Sequence, residues 1–186
     1  ERTKMSAIVS DIHQTVSSGI GDLGAPDIDT IQAYIKDSPI GENLSDEECR
    51  RVAEITDYRR LDADEYLIDD GEVDDSLHVV VSGKLGVVKC EQGGECVTLH
   101  VHNVGDIAGE MGFIDGTAHS AGLQAMSNCG VVTLHRDSFE SLILKYPMLG
   151  YNVMRAIVRT IHVILRRMNF QHLQLTNYVT KQHGRY

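Results

Sequence analysis

Six short β-branched runs recur at regular intervals between about Tyr58 and Leu134, and they constrain the fold more than any other feature of this sequence. They read EYLI, SLHVVV, KLGVVKC, CVTLHV, AGLQAM and GVVTLH, and Gly, Asp and Asn residues separate them. Evenly spaced short strands joined by tight turns are typical of a sandwich, jelly roll or barrel. The sequence therefore predicts a set of antiparallel strands packed around one core.

The order of periodicities divides the chain into four segments. Helical periodicity precedes the strands and returns after Arg136. The predicted segments are an N-terminal helix with a Gly-rich linker over 1–28, a helical segment over 29–57, a β-roll over 58–136 and C-terminal helices over 137–186. This order predicts an α+β, mainly β fold, in which an antiparallel, jelly-roll-like β-roll is flanked by N-terminal helices and a long C-terminal helix.

Alternation within one run predicts which side of its strand is buried. The run VTLHVH alternates apolar with polar residues, as a half-buried strand does. We expect Val97, Leu99 and Val101 to face the core. His100 and His102 are then expected to point to solvent.

Capping signals locate the helices before the roll. A short helix is expected from Asp29 to about Lys36, ended by Pro39. The sequence SDEE, which begins at Ser45, is a capping box with acidic residues in the first turn. The helix that follows is expected to turn four residues toward the core: Cys49, Val52, Ala53 and Ile55.

Two helices are expected after the roll. The segment DSFESLILKY ends at Pro147, and a second helix runs from there to about Thr176. Its apolar stripe consists of Val153, Ile157, Thr160, Ile164 and Met168, widened by Ile161 and Leu165. Because this stripe is longer than one small roll can cover, we expect a homodimer through this helix.

Charge and hydropathy narrow the choice of partners. The chain has 17 basic and 27 acidic side chains among 186 residues, a formal net charge of −10. Such a surface repels the phosphates of nucleic acids unless its basic residues cluster, and four late arginines (Arg155, Arg159, Arg166 and Arg167) are spread round a helix. No apolar run approaches the roughly 20 residues that cross a bilayer, so no membrane contact is expected.

Four cysteines, Cys49, Cys90, Cys96 and Cys129, are scattered and form no CxxC pair. This spacing argues against a zinc site or an iron–sulfur cluster. Together with the lack of an N-terminal signal sequence, it predicts reduced thiols in a cytoplasmic protein.

Two further motifs carry a family resemblance. The segment YLIDDGEVDDSLHVVVSGKLGVV resembles the strand–turn–strand signature of cyclic-nucleotide-binding domains, in which Gly71 and Gly83 occupy the turns. The segment VGDIAGEMGFIDGTAHSAGLQA resembles the phosphate-binding cassette of the same family, which includes the catabolite activator protein, the CRP/FNR-like regulators and kinase regulatory subunits. The resemblance covers roughly residues 40–170 and implies a regulatory domain, not an enzyme, whose ligand is cAMP or cGMP.

The cassette has a physical logic of its own. A Gly-rich strand exit followed by a helical turn directs several backbone N–H groups at one point, which suits a phosphate. Gly109 and Gly112 let the backbone approach a ligand closely, and Glu110 matches the family residue that accepts from a ribose hydroxyl. The predicted ligand-binding residues are Gly109, Glu110, Met111, Gly112, His119, Ser120 and Ala121. Glu110 as a backbone cap and Ser120 as an ordinary turn hydroxyl are the alternative interpretations.

The cassette departs from the family pattern at its end. Family members that bind cyclic nucleotides place an arginine where this chain has His119, and a histidine lacks the permanently charged, bidentate fork of arginine. Losing a pair of this kind typically costs about 2–5 kcal/mol. Ala118 and Gly122 also differ from the common residues, and Ile164 and Leu165 stand where the activator protein has hydroxyls that meet the base. The sequence therefore predicts weak binding of cAMP or cGMP.

Several alternatives stay open at this point. In one alternative, the cassette binds another small anion and His119 makes the response depend on pH. In another, the roll holds no ligand and serves as a structural module for dimerisation. His100 and His102, with Gly94 and Asp106, faintly resemble the first metal motif of cupins, although no second motif follows. A haem-binding relative would use His162 or His172 as an axial ligand.

The sequence also predicts how the domain works. No GxSxG, Walker loop or placed Cys–His pair is present, so catalysis is not expected. Only NFQHLQLTNYVTKQHGRY follows Met168, so the family's helix-turn-helix, and with it direct DNA binding, is not expected. A ligand in the cassette is expected to shift the hinge near Lys145–Gly150 and so move the long helix.

Overall fold

Within residues 25–91 and 93–183, which the computed structural model describes, eight antiparallel strands form two four-stranded sheets. The strands are β1 (Thr56–Leu61), β2 (Tyr66–Ile68), β3 (Ser76–Ser82), β4 (Leu85–Cys90), β5 (Cys96–His102), β6 (Ile107–Ala108), β7 (Gly122–Ala125) and β8 (Cys129–His135). One sheet has the order β1-β8-β3-β6 and the other β2-β7-β4-β5. The predicted antiparallel roll is confirmed.

Helices precede and follow the roll in sequence, and one short helix lies between two of its strands. They are α1 (Ile28–Asp37), a 3₁₀ turn (Pro39–Gly41), α2 (Asp46–Ala53), α3 (Glu110–Asp115), α4 (Arg136–Lys145) and α5 (Pro147–His183). The α+β, mainly β class with a long C-terminal helix is therefore confirmed. The helix predicted near the N-terminus lies mostly outside the described residues.

The predicted capping box opens α2. The hydroxyl of Ser45 accepts from the N–H of Glu48, and the Glu48 carboxylate accepts from the N–H of Ser45 at 2.8 Å. Both contacts satisfy backbone donors that a helix N-terminus otherwise leaves free. Cys49, Val52 and Ala53 are buried as predicted, while Ile55 lies after the helix end and packs partly buried against the same core.

The sheet that contains β3 and β8 is buried on both faces. Val80 and Val131 point into the interior of the roll, where they meet Leu85 and Leu123. Neighbouring residues of the same two strands, such as Val132, point outward and pack under α1, α2, α4 and α5. This double burial explains why β3 and β8 read as continuous apolar runs and not as alternating ones.

The long helix starts where predicted and extends further. Tyr146, with φ −134° and ψ 71°, interrupts the helix between α4 and Pro147. Helix α5 then continues to His183, past the predicted end at Thr176. No described helix is both long and apolar enough to cross a bilayer.

The predicted apolar stripe of α5 holds only at its beginning. Val153 and Ile157 are fully buried on the roll, whereas Leu165 and Met168 are 51% and 57% exposed. The stripe therefore combines residues from two faces, because the helix leaves the roll after about Thr160. A different row is exposed or only partly buried and follows alternating spacings of three and four residues: Tyr151, Met154, Val158, Ile161, Leu165 and Met168. We call this row the α5 seam.

The expectation of four reduced thiols is wrong at two positions. Cys90 and Cys96 are directly opposite each other across β4 and β5 and form a disulfide. The sequence separation of six concealed this pairing, because a cross-strand partner is recognisable only once the hairpin register is known. Cys49 and Cys129 are free and buried, and burial raises the pKa of the Cys129 thiol to about 11.

Candidate ligand-binding site

The cassette begins with a tight exit from β6. Gly109 has φ +82° and precedes α3. A Cβ there would lie 2.6 Å from the carbonyl oxygen of Ser76, and a Cβ on Gly112 would lie 2.4 Å from that of Asp74. Both glycines thus let the cassette pack directly against the start of β3. Close packing on the protein's own backbone therefore requires glycine at both positions, and the approach of a ligand to them stays a prediction.

The end of the cassette is tied down by its own backbone. The N–H of His119 donates to Glu72 at 2.8 Å, and the carbonyl of His119 accepts from Gly71 at 2.8 Å. The carbonyl of Ser120 accepts from the ammonium of Lys89 at 2.7 Å, and Lys89 also pairs with Asp70. These contacts fix the end of the cassette against the turn before β3 and against β4.

The side chain of His119 is also engaged. Its Nε2 lies 3.1 Å from the carbonyl oxygen of Asp74, which a protonated ring nitrogen can contact as donor. The half-buried ring also lies against Gly112. His119 therefore braces the cassette in addition to lining the cavity described next.

The cassette forms one wall of a cavity of about 610 Å³. All seven predicted ligand-binding residues line it: Gly109, Glu110, Met111, Gly112, His119, Ser120 and Ala121. Strands contribute a second wall that includes Val87 and His102. The long helix closes the far side with Ile164, Arg167, Met168 and Gln171. Of the two helix positions aligned with the base-contacting hydroxyls, Ile164 lines the cavity and Leu165 does not.

Glu110 is the one carboxylate among the described residues that line this cavity. It is half-buried at the start of α3. Burial raises its pKa, while a backbone hydrogen bond and the charge of His119 act in the opposite direction. A carboxylate that has lost water in this way gains from a ligand hydroxyl that donates to it.

The predicted facing of β5 is wrong. His102 is buried and His100 half-buried, whereas Val97 and Leu99 are 56% and 61% exposed. The inner face of this edge strand covers the cavity and not the apolar core, so polar rings are accommodated there. A bulge opposite Val87 also makes Leu99 an extra residue in the ladder, which breaks the alternation.

The two histidines make different contacts. Burial lowers the pKa of His102 to about 4, and it lowers that of His100 as well, with the charge of Arg167 acting in the same direction. The Nη1 atom of Arg167 lies 3.3 Å from Nδ1 and 3.2 Å from Nε2 of His100. A neutral imidazole thus faces the arginine that α5 brings to the cavity.

A smaller cavity of about 410 Å³ lies on the other side of Arg167, between β5, the 3₁₀ turn and α5. Within the described residues, no cluster of three or more His, Cys, Asp or Glu side chains is placed to hold a metal ion. His162 and His172, the axial ligands that the haem-binding alternative would use, are exposed on α5 and line neither cavity.

A buried histidine beneath the cassette was missed by the sequence analysis. His78 on β3 is 2% exposed, and its Nδ1 lies 3.0 Å from the hydroxyl of Thr133. Its Nε2 has no hydrogen-bond partner among the described residues and lies 3.9 Å from the Asp74 carboxylate. Burial lowers its pKa to about 4. A single histidine within the apolar run SLHVVV did not predict that this side chain is buried beneath the cassette.

Comparison with known proteins agrees with this geometry. The family model described as the cyclic nucleotide-binding domain matches residues 58–146, from the third residue of β1 to Tyr146. Residues 58–146 belong to the cyclic nucleotide-binding domain family. The matched range contains the whole cassette and ends at the break before the long helix.

Curated relatives contain this domain within longer chains. The chain is 30% identical to an uncharacterized NTE family protein of Mycobacterium tuberculosis over 128 residues, which cover 67% of this chain and 21% of that protein. It is 26% identical to the cyclic AMP receptor protein of Thermus thermophilus over 125 residues, which cover 67% of this chain and 58% of that one. The chain thus spans about a fifth to three fifths of these relatives.

Solved structures show the same fold. A cyclic nucleotide-binding domain from Methylobacillus flagellatus superposes with a TM-score of 0.70 at 24% identity, covering 79% of this chain and 83% of that one. This likeness shows the fold, a β-roll with a long C-terminal helix, and the family match assigns residues 58–146 of it to the cyclic nucleotide-binding domain.

Proposed function

We propose that this cyclic nucleotide-binding domain is a sensor that binds a cyclic nucleotide weakly in the cassette cavity and transmits its occupancy through α5. The observation that carries the proposal is the cavity itself. The cassette forms one wall and the long helix the opposite wall, so a ligand that fills it contacts both. Names of matched relatives, among them a cyclic AMP receptor protein and a cGMP-dependent protein kinase of Caenorhabditis elegans, support this ligand class.

The cassette residues have separate roles in this proposal. Backbone N–H groups at the start of α3 donate to the phosphate, because the first turn of a helix has free donors. Glu110 accepts from a ribose hydroxyl, and the Ser120 hydroxyl donates to the phosphate. His119 is already bonded to the Asp74 carbonyl and offers no permanent charge, which makes the affinity low.

Transmission relies on two placements of α5. The helix is joined to α4 through Tyr146, whose non-helical backbone provides the hinge. It is also tied to the N-terminal part by Arg159, which pairs with Glu42 at 3.0 Å. A ligand that contacts Ile164 and Arg167 favours the placement in which α5 covers the cavity, and the equilibrium shifts by that difference in contact energy.

The α5 seam is the proposed surface for a second copy of this chain. Its spacings of three and four residues are those of a heptad repeat, which two identical helices bury between them. The exposed seam residues Tyr151, Val158 and Leu165 point away from the roll, while Met154 and Ile161 pack at the edge of the core that contains Val153 and Ile157. A homodimer through the seam would therefore bury Tyr151, Val158 and Leu165, and at Met168 it would border the cavity wall.

Two further parts of the proposal concern setting. The domain acts by binding and not by catalysis, and its net charge of −10 disfavours direct contact with DNA. The cytoplasm stays our proposed setting on the likeness to a cyclic AMP receptor protein, but it loses the support of the thiols, because Cys90 and Cys96 form a disulfide. The domain boundaries at residues 28, 57 and 136 remain part of this proposal.

The deciding experiment is calorimetric titration of the full chain with cAMP and cGMP, beside His119→Arg and the control His172→Arg. We expect weak binding by the unmodified chain and a gain of about 30-fold or more in His119→Arg, because an arginine restores a charge-assisted pair with the phosphate. His172→Arg, which changes an exposed residue outside the cavity, should bind like the unmodified chain. Absence of binding in all three proteins would overturn the proposal.

A further inference from the structure

The helix wall of the cavity carries an arginine with no acidic partner. Several other arginines of the described chain, including Arg51, Arg59 and Arg159, pair with carboxylates. Arg167 has no carboxylate oxygen within 4 Å among the described residues, and its recorded contact is the ring of His100. Arg167, an exposed residue, therefore lines the cavity without an ion pair, although it also borders the smaller cavity that Glu42 and Asp106 line.

The cavity is lined both by the cassette and by the part of α5 that carries this arginine. Its carboxylate lining is limited, among the described residues, to Glu110 beside the cassette. The wall opposite consists of Arg167 and Gln171, one turn apart on α5, between Ile164 and Met168. A nucleotide whose phosphate lies on the cassette backbone thus presents its base to a wall whose charged group is a hydrogen-bond donor.

We propose that Arg167 makes this cavity selective for a cyclic nucleotide with a 6-oxopurine base over one with a 6-aminopurine base. The inference rests on the proposed function and specifies its ligand. A guanidinium presents parallel N–H donors, which match the two acceptors O6 and N7 of a guanine-type base. An adenine-type base presents one acceptor, N7, and one donor, the 6-amino group, so one of the arginine donors meets a donor.

His100 keeps the arginine available for this contact. Burial and the charge of Arg167 both lower the pKa of His100, so the ring is neutral at neutral pH and does not repel the guanidinium. The contact between them is one that a ligand can replace, because it contains no ion pair. Gln171 has one donor and one acceptor group and can pair with either purine, so the selectivity is assigned to Arg167 alone.

The test is calorimetric titration of the full chain with cGMP, cIMP and cAMP. Cyclic IMP carries O6 and N7 without the 2-amino group of guanine, so it isolates the edge that Arg167 is proposed to bind. We expect cGMP and cIMP to bind about 5- to 100-fold more tightly than cAMP, as a bidentate arginine–purine contact discriminates elsewhere. In Arg167→Gln this ratio should fall to about threefold or less.

A matched control separates selectivity from general charge. Arg166→Gln removes the same charge from the neighbouring exposed position, which does not line the cavity, and it should keep the full ratio. Equal binding of the three nucleotides, a preference for cAMP, or an unchanged ratio in Arg167→Gln overturns the assignment while the proposed sensor function stands. Absence of binding by all three nucleotides overturns both.

Discussion

Arg136 caps the carboxyl end of the cassette helix. Its Nε donates to the carbonyl of Phe113 at 2.9 Å, and its Nη2 donates to that of Gly112. Arg136 is also the first residue of α4, the helix that leads to the Tyr146 break. One side chain therefore connects the cassette to the element that moves the long helix.

Replacing this side chain should loosen the cassette. In Arg136→Gln, two carbonyls at the end of α3 lose a charged donor, and we expect the free energy of unfolding to fall by about 1–3 kcal/mol. Amide hydrogen exchange should increase within residues 110–116 before it does in β3 or β8. Arg155→Gln, an exposed change on α5, is the control. Unchanged exchange in the cassette of Arg136→Gln would contradict this role.

Comparing alanine variants of Gly109 and Gly71 separates two contributions to stability: the close packing of the cassette and the strain of a left-handed backbone. Both have positive φ, but a Cβ on Gly71 would meet nothing within 4 Å, whereas one on Gly109 would meet Ser76. Each change to alanine costs about 1–2 kcal/mol for the left-handed backbone. We expect Gly109→Ala to lose about 1–3 kcal/mol more, because β3 cannot yield to it. Chemical denaturation of both variants measures the difference, and equal losses would contradict the packing argument.

Acid should destabilise the fold through His78. Burial is the largest cause of its low pKa, and Asp74 opposes this effect, while His119, His135 and Arg59 add to it. Because the folded state lowers the pKa from 6.5 to about 4, the unfolded chain takes up the proton first as the pH falls. The free energy of unfolding should therefore decline between about pH 6.5 and 4.

The slope of the free energy of unfolding against pH shows whether His78 causes the decline. Denaturant unfolding at several pH values should give a shallower dependence for His78→Leu than for the unmodified chain, even though Thr133 loses its partner at every pH. His162→Asn, an exposed change on α5, should leave the slope as it is. A slope unaffected by His78→Leu would assign the acid sensitivity elsewhere, with buried His102 the next candidate.

The α5 seam predicts the oligomeric state. Leu165→Asp places a charge in the centre of the seam, where a second helix would have to desolvate it. We expect sedimentation velocity to show a dimer for the unmodified chain and a monomer for this variant. Phe170→Asp, on the helix face opposite the seam and also exposed, should remain dimeric. A monomeric unmodified chain would overturn the homodimer proposal.

Local signals predicted the parts of this fold that depend on neighbours in sequence. The Ser45–Glu48 capping box and the break before Pro147 follow from residues a few positions apart, whereas the turns at Gly71 and Gly83, which have positive φ, came from the family resemblance. The seven predicted cassette residues also line one cavity, because they belong to a single continuous segment.

Features that depend on pairing at long range were not predictable in the same way. The burial of His100 and His102 depends on what covers β5, and the Cys90–Cys96 bond depends on the register of the hairpin. Arg136 and Arg167 are 23 and 48 residues from Phe113 and His119 in the sequence. No local pattern shows that they reach the cassette and its cavity.

The length of α5 turns a small hinge movement into a large displacement. Its 37 residues extend about 55 Å at the rise of an α-helix, and it is joined to α4 at Tyr146. A rotation of about 10° at that joint would move the far end by about 10 Å, given this length. The cavity contacts α5 near its middle, so the far end of the helix moves further than the part that a ligand contacts. A partner that binds the distal end of α5 would therefore experience a larger displacement than the one at the cavity.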